Sequence, residues 1–254
     1  MNASPLVTVI TPSFNQGAYI EQTILSVLNQ TYRNIQYIVI DGGSEDETMD
    51  IIKKYEDRID IVISEKDRGQ SDAINKGFRL AKGELTGWIN SDDILYPECV
   101  EKIAGLYARR PDGSIYYCSV LDKIDGNGDV TGTIRVPVRN REHLRNRDYT
   151  LNQPGSFYKT DILRSVNYID DSIHYCMDLD LWLRLLERGN IYGLDQRAYS
   201  AFRIWPGTKT STGGEKFLRN IRQVLRKNHA SSLSRNILRT YWYSFKLLLR
   251  TMLP

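Results

Sequence analysis

Across its first 120 residues the chain alternates apolar, β-branched runs with stretches of helical spacing, and this alternation restricts the fold more than any other feature. Leu6 to Thr11, Ile35 to Ile40 and Ser114 to Val120 read as strands, with Ile59 to Ile63 and Glu84 to Ile89 as weaker versions. Between them, Ile20, Ile24, Val27 and Leu28 share one helical face. Met49, Ile51 and Ile52 follow the acid-rich start Ser44-Glu45-Asp46-Glu47, which suits a helix N-terminus. Ala73, Ile74, Phe78 and Ala81 form a third stripe, and Val100, Ile103, Leu106 and Tyr107 a fourth. Strand and helix in such short order predict an α/β fold: a parallel sheet covered by helices on both faces. Right-handed crossovers then bring every strand's C-terminal end to one edge.

Four polar loops follow the first four strands: Pro12-Ser13-Phe14-Asn15, Asp41-Gly42-Gly43-Ser44, Glu65-Lys66-Asp67-Arg68-Gly69 and Asn90-Ser91-Asp92-Asp93. They should converge on one rim, where open α/β sheets bind ligands. The last loop sets two carboxylates side by side. Such like charges repel unless a cation sits beside them, and a hard divalent metal holding phosphate oxygens is the natural guest. The other reading of Asp92-Asp93 is a solvated turn that caps a helix starting near Tyr96. No Gly-x-Gly-x-x-Gly and no Walker loop is present, which argues against dinucleotide and P-loop sites. His143, His174 and His229 are the only histidines, and no Ser/His/Asp constellation can be built on them. Carboxylates and a metal remain as the tools for chemistry.

After residue 120 the pattern loosens. Asp125-Gly126-Asn127-Gly128-Asp129 predicts a hairpin turn. A calcium loop there is rejected, because no Glu stands at the closing position and no helix pair flanks it. Arg135 to Tyr149 is basic and irregular, Cys176 to Glu187 reads as a helix, and 205–214 as a Gly/Thr-rich loop. Cys99, Cys118 and Cys176 are widely spaced and form no CxxC pair, which fits a reducing compartment better than a disulfide framework or a zinc cluster. The N-terminus lacks the charged lead and apolar core of a signal peptide, and no run reaches the roughly 18 apolar residues of a membrane span.

The motifs, taken in order, resemble those of the family-2 inverting glycosyltransferases, which have a GT-A-type fold. Val9-Ile10-Thr11-Pro12-Ser13-Phe14-Asn15 resembles the family's first strand and loop. Ile40-Asp41-Gly42-Gly43-Ser44-Glu45-Asp46-Glu47-Thr48 resembles its Asp-Gly-Ser-x-Asp-x-Thr motif, and Gly69 to Gly77 its Asn-x-Gly helix. Asn90-Ser91-Asp92-Asp93 sits where its Asp-x-Asp lies, and Asp178-Leu179-Asp180-Leu181-Trp182-Leu183-Arg184 resembles its late acidic motif. The resemblance spans about residues 6–205. It implies a mostly parallel mixed sheet flanked by helices. It also implies a glycosyltransferase domain at 1–214, with a nucleotide-binding half at 1–120 and an acceptor half at 121–214.

By the same resemblance, Asp92 ligates Mg²⁺ or Mn²⁺, which acts as Lewis acid for the leaving diphosphate. Asn90 replaces the family's first Asp: it keeps an oxygen acceptor, loses a charge, and stands as metal ligand or ribose contact. Asp93 assists at the metal or caps the next helix. Asp41 accepts from the ring N–H of the base, with Pro12 and Phe14 flanking it, or else is a plain turn residue before Gly42-Gly43. A uracil N3–H suits a carboxylate, which favours UDP over GDP. Arg68 is expected either to meet a phosphate or to be a surface charge, and Asn15, Asp72 and Ser91 complete the residues expected to bind the nucleotide-sugar. Asp178 is the expected base, since it lies four residues before Trp182 on an apolar face, whereas Asp180 lies four before Arg184 in the order of a surface ion pair. Gln153-Pro154-Gly155-Ser156 resembles a segment lining donor sugar or acceptor. Trp205 stands where the family's closing loop often bears a His; stacking on a sugar is the use an indole offers.

From Lys216 onward there are nine Lys/Arg and no acids, so residues 1–215 carry 25 of the 34 basic and all 31 acidic residues, a net of −6. Phe217, Ile221, Val224 and Leu225, then Leu238, Tyr241, Trp242, Phe245, Leu248 and Leu249, have amphipathic helical spacing. This tail, 215–254, suits either a lipid interface or the acidic body; nothing else supports nucleic acid. The expected activity is metal-dependent, inverting transfer of a hexose or N-acetylhexosamine from a UDP-sugar. The expected acceptor is a saccharide, such as a polyprenyl-linked one, in cell-surface polysaccharide synthesis. The expected place is the cytoplasm, or peripherally the inner face of the membrane. The alternatives are a sugar nucleotidyltransferase, which should carry a Gly-rich basic loop after the first strand, and a non-catalytic nucleotide-sugar-binding protein.

Overall fold

The computed structural model describes residues 4–206 and 213–252. Strands β1 (Val7–Ser13), β2 (Ile35–Asp41), β3 (Ile61–Ser64) and β4 (Leu85–Trp88) alternate with helices α1 (Ile20–Leu28), α2 (Thr48–Lys53) and α3 (Gln70–Leu80). The short strand β5 (Ile94–Leu95) and helix α4 (Cys99–Arg109) lead to β6 (Gly113–Cys118) and to the hairpin of β7 (Val120–Ile124) and β8 (Val130–Arg135). A π-turn at His143–Arg147 precedes β9 (Ser156–Lys159), α5 (Thr160–Ser165), α6 (Met177–Leu185), β10 (Asn190–Leu194) and β11 (Ser200–Arg203). Helices α7 (Gly214–Lys227) and α8 (Arg235–Met252) follow. Of the loop expected at 205–214, residues 207–212 lie outside the described residues.

A seven-stranded sheet runs β10-β6-β9-β4-β1-β2-β3, and a four-stranded sheet runs β5-β11-β7-β8. The run β3-β2-β1-β4 is parallel, and its order reverses at β1. The sheet is not parallel throughout: β9 is wedged antiparallel between β4 and β6. No α-helix lies between β6 and β9, and a parallel return needs a crossover of that kind.

Period-2 alternation supplies both faces of the sheet. Ile10, Ile38 and Ile40 pack with Ala73, Ile74 and Phe78 of α3 and with Leu179 and Trp182 of α6. Val9, Tyr37 and Val39 pack with Ile24 of α1, Ile52 of α2 and Ile103 of α4. The Asn-x-Gly segment is built for this packing. The Asn75 amide donates to Ile169 O at 2.8 Å and accepts from Ile169 N at 3.0 Å. A Cβ at Gly77 would stand 2.5 Å from Ile10 Cγ2, so α3 lies against β1 only because the residue is glycine.

The tail is not a separate appendage. Leu218, Ile221, Val224 and Leu225 of α7 and Ile237 of α8 join the core cluster that contains Leu179 and Trp182. The outer side of α8 leaves Leu238, Tyr241, Trp242, Phe245, Leu248 and Leu249 exposed at 39–57%. All three cysteines are buried and free. Among the described residues no helix is long and apolar enough to cross a membrane.

Candidate active site

The loops after β1, β2, β3 and β4 meet at one cleft of about 840 Å³. Pro12, Ser13 and Phe14 form one end with Gly42 and Gly43; Asp67, Arg68 and Gln70 form a side. Trp88, Asn90, Ser91 and Asp92 make the floor. Gln153, Pro154, His174, Tyr175, Met177, Asp178 and Trp205 face them from the second half of the chain.

Asp92 and Asp93 diverge sharply. Asp92 lines the cleft, and its Oδ2 accepts from the Trp205 indole N–H at 2.9 Å. Burial pushes its carboxyl upward, while Trp205 and the Arg203 charge pull the other way. Asp93 is 0% exposed and reaches neither the cleft nor a helix cap, since α4 starts only at Cys99. This corrects the helix-cap expectation for Asp93. Its oxygens accept instead from Arg203 N and from the Asn90 amide, each at 3.0 Å. Burial, then the Asp92 charge, hold the Asp93 carboxyl well above the usual range. Arg203 is itself fully buried over the Tyr19 ring, and its guanidinium donates to the carbonyls of Asp92, Asp125 and Gly126 and to Gln22 Oε1.

Asn90 is a crosslink. Its Oδ1 accepts from Gln70 at 2.8 Å, while its Nδ2 donates to Asp93 and, at 3.2 Å, to Gln153. Gln153 in turn donates to Trp88 O at 2.8 Å. The amide at position 90 supplies N–H donors to both Asp93 and Gln153, which an ionised carboxylate there would not.

Three residues expected at the nucleotide are not among those that line the cleft. Asp41 is 0% exposed: Oδ1 accepts from Ser44 Oγ at 2.5 Å, and Oδ2 from Gly43 N and Ser44 N at 3.0 Å and Ser64 Oγ at 2.7 Å. These bonds hold the glycine turn. The Asn15 side chain accepts from Glu45 N at 2.9 Å and ties two loops together. Asp72 is buried on α3, its carboxyl held below the usual range first by the Arg68 hydrogen bond. Arg68 does line the cleft, but there it pairs with Asp72 and Asp171, both at 3.0 Å.

Asp178 opens α6 on the cleft side, where its Oδ1 accepts from Leu179 N at 2.8 Å. Asp180 is turned the other way. Its pairing with Arg184 at 2.7 Å exists, but its carboxylate is wholly buried and not at the surface.

Among the described residues, no three His, Cys, Asp or Glu side chains form a metal cage. Asp92 is the one carboxylate of the Asn90–Asp93 loop that reaches the cleft. Mg²⁺-type cations in phosphate sites are held by one or two carboxylates together with substrate phosphates, so this donor set fits a cation shared with a diphosphate. Ser13 Oγ and Trp88 Nε1 are buried without a hydrogen-bond partner, although both residues line the cleft.

Residues 8–167 match the family model described as "Glycosyl transferase family 2". The chain belongs to that family. As a glycosyltransferase it has the GT-A fold. It is 28% identical over 250 residues to chondroitin synthase of Escherichia coli, covering 94% of this chain and about a third (34%) of that one. Its structure resembles S. aureus TarS 1–349 in complex with UDP-GlcNAc, with TM-score 0.71 and 19% identity over 95% of this chain and 71% of that one. It also resembles the mannosyltransferase PcManGT of Pyrobaculum calidifontis in complex with GDP-Man and Mn²⁺, with TM-score 0.70 and 15% identity over 96% and 70% of the two chains.

Of the residues expected at the site, this glycosyltransferase gathers Pro12, Phe14, Arg68, Asn90, Ser91, Asp92 and Asp178 on one cleft, whereas Asn15, Asp41, Asp72 and Asp93 do not line it. Sequence reasoning missed Asp67, Gln70, Trp88, His174 and Tyr175. Asp67 had a signal, as the acid beside Arg68 in the third rim loop. The His174-Tyr175 pair had none, because its nearness to the rim depends on how α6 and α7 pack.

Proposed function

We propose that the enzyme transfers a hexose or N-acetylhexosamine from a UDP-sugar to a saccharide hydroxyl with inversion, assisted by Mn²⁺ or Mg²⁺. The observation that carries this reading is the presence of Asp92 and Asp178 on one cleft, contributed by separate halves of the chain. The base lies against Pro12, Phe14 and the Gly42-Gly43 turn. Asp67, whose Oδ2 is 2.5 Å from the place of a Gly42 Cβ, takes the role first expected of Asp41 and accepts the uracil N3–H. The diphosphate lies toward Asp92 and Arg68. A divalent cation, when bound at Asp92, neutralises the diphosphate charge. Asp178 removes the proton from the acceptor hydroxyl, whose oxygen attacks the anomeric carbon on the face opposite the diphosphate; the glycosidic bond to phosphate breaks in the same displacement.

A polyprenyl-linked saccharide is the acceptor that best suits the exposed side of α8. Arg226 donates to the Tyr241 hydroxyl at 2.7 Å, and the Lys246 ammonium stands 3.6 Å over the Trp242 ring. Aromatics framed by cations suit an anionic lipid interface on the cytoplasmic face. Cell-surface polysaccharide assembly is the setting this implies, in keeping with the relative named chondroitin synthase.

The experiment is a panel of UDP- and GDP-sugars with Mn²⁺, read as nucleoside diphosphate release with and without saccharide acceptors. Release from UDP-sugars in preference to GDP-sugars is expected. No release from any donor, together with no binding of UDP, would overturn the reading.

A further inference from the structure

We infer that α7 positions the catalytic carboxylate, with Lys227 as the pin; the inference rests on the assignment of Asp178 proposed above. Asp178 lies in a segment, 170–180, that α7 grips from behind at both ends and in the middle. Lys227 Nζ stands 2.7 Å from Asp170 Oδ2 and 3.0 Å from Asp180 Oδ1. Asn228 Nδ2 donates to the same Asp180 oxygen at 3.3 Å. Between these points Tyr175 N donates to Asn220 Oδ1 at 3.3 Å, and the Tyr175 and Phe217 rings meet edge to face at 6.0 Å. Asp178 therefore sits between an anchor at 175 and an anchor at 180, both supplied by α7 or the residue that ends it.

The buried charge makes the grip firm. The Asp180 side chain has no exposure, and Arg184 and Lys227 compensate it. Arg184 belongs to α6 and also donates to the carbonyls of Val166 and Tyr168, so it travels with that element. Lys227 is the partner that comes from elsewhere. Separating α7 from α6 would strand a buried carboxylate with one cation fewer, which is strongly unfavourable. The positions of α7 and of the first turn of α6 are therefore linked, and that turn carries Asp178. Misplacing a reacting group by about 1 Å costs on the order of a hundredfold in rate. The ion-pair partners of Lys227, Asp170 and Asp180, do not line the cleft, so Lys227 is a positioning residue.

The test uses the full chain with Lys227→Met, Lys227→Arg and Asn220→Ala. Three readouts apply: UDP release from the UDP-sugar that the wild type hydrolyses fastest, the melting shift given by UDP with Mn²⁺, and amide hydrogen exchange. Lys227→Met should lower kcat about tenfold to a hundredfold, leave donor KM and the UDP melting shift unchanged, and speed exchange over 174–180 but not in β1 or β2. Lys227→Arg should restore most of the loss, and Asn220→Ala should speed exchange over 174–177. Wild-type kcat and wild-type exchange in Lys227→Met would overturn the inference. So would a fall in kcat matched by weaker UDP binding and faster exchange in β1 and β2, which marks general loosening. If Lys227→Met does not fold, Asn220→Ala decides by the same exchange criterion. Unimpaired turnover by Asp178→Asn would remove the base assignment instead, and exchange over 174–180 would still report whether the pin exists.

Discussion

The Trp205 indole N–H donates to Asp92 Oδ2 at 2.9 Å, so one oxygen of the carboxylate on the cleft floor is already engaged. The same indole lies 5.5 Å from the Tyr19 ring, which fixes its plane. An indole donates but does not ligate a cation. The family's closing loop, by the resemblance, often bears a His at this position; here an indole that hydrogen-bonds the Asp92 carboxylate stands in its place.

Asp92→Ala should remove the Mn²⁺ dependence of UDP binding. With UDP near a hundredfold above its dissociation constant, the wild type should melt on the order of 5–10 °C higher. The shift should shrink on chelation. In Asp92→Ala the shift should be small and indifferent to Mn²⁺, as read by thermal denaturation with and without EDTA.

Asp178→Asn keeps the shape and removes the basic group. Turnover should fall about 10²–10⁴-fold, the range of general base catalysis, with the UDP melting shift preserved. Steady-state kinetics on the best donor of the panel reads this directly.

Asp41 and Asp67 should separate folding from recognition. Asp41→Ala strands donors from Gly43, Ser44 and Ser64, and should cost about 2–4 kcal/mol in chemical denaturation. Asp67→Asn should leave the denaturation midpoint nearly unchanged and weaken UDP binding roughly tenfold or more, the worth of a hydrogen bond to a charged group. Calorimetric titration with UDP distinguishes the two.

Acid should loosen the grip of α7. The Lys227 hydrogen bond, then Ser172, pull the Asp170 carboxyl from 3.8 to about 2. A carboxyl depressed in the folded state contributes stability that is complete above about pH 4 and disappears as pH falls toward 2. Because the Asp170 side chain is 34% exposed, solvent screening reduces this to about 1 kcal/mol. Lys227→Met should flatten that part of the stability profile between pH 4 and 2, measured by urea unfolding.

The exposed side of α8 should bind anionic vesicles. The full chain should co-sediment with phosphatidylglycerol-rich vesicles, less well at high salt and poorly with neutral vesicles. Trp242→Ser with Phe245→Ser should abolish co-sedimentation while UDP binding persists.

The rim was legible because strand periodicity and crossover handedness dictate where loops after β1 to β4 must go. Glycine and acid placement in those loops then marked a phosphate-binding edge. Which acids face the ligand was not legible. Asp92 and Asp93 differ only in the direction each side chain leaves the turn, and Arg203, 110 positions beyond Asp93, claims the latter. That Asp41 is buried while Asp67 lines the cleft was equally hidden, because the hydrogen bonds that bury Asp41 include Ser64 of a neighbouring strand. The antiparallel β9 escaped notice because its pattern of four residues is too short to fix a direction. The tail was half legible. Amphipathic spacing gave two helices, but spacing alone does not say which apolar face meets protein.

Arg203 closes the account of positive charge near the floor. Its guanidinium is enclosed and directed at main-chain oxygens and Gln22, so it acts as masonry and cannot swing toward a substrate. On the proposed reading, the charge that develops on a departing diphosphate is left to a cation that arrives with the donor or to Lys66 and Arg68, which line the cleft.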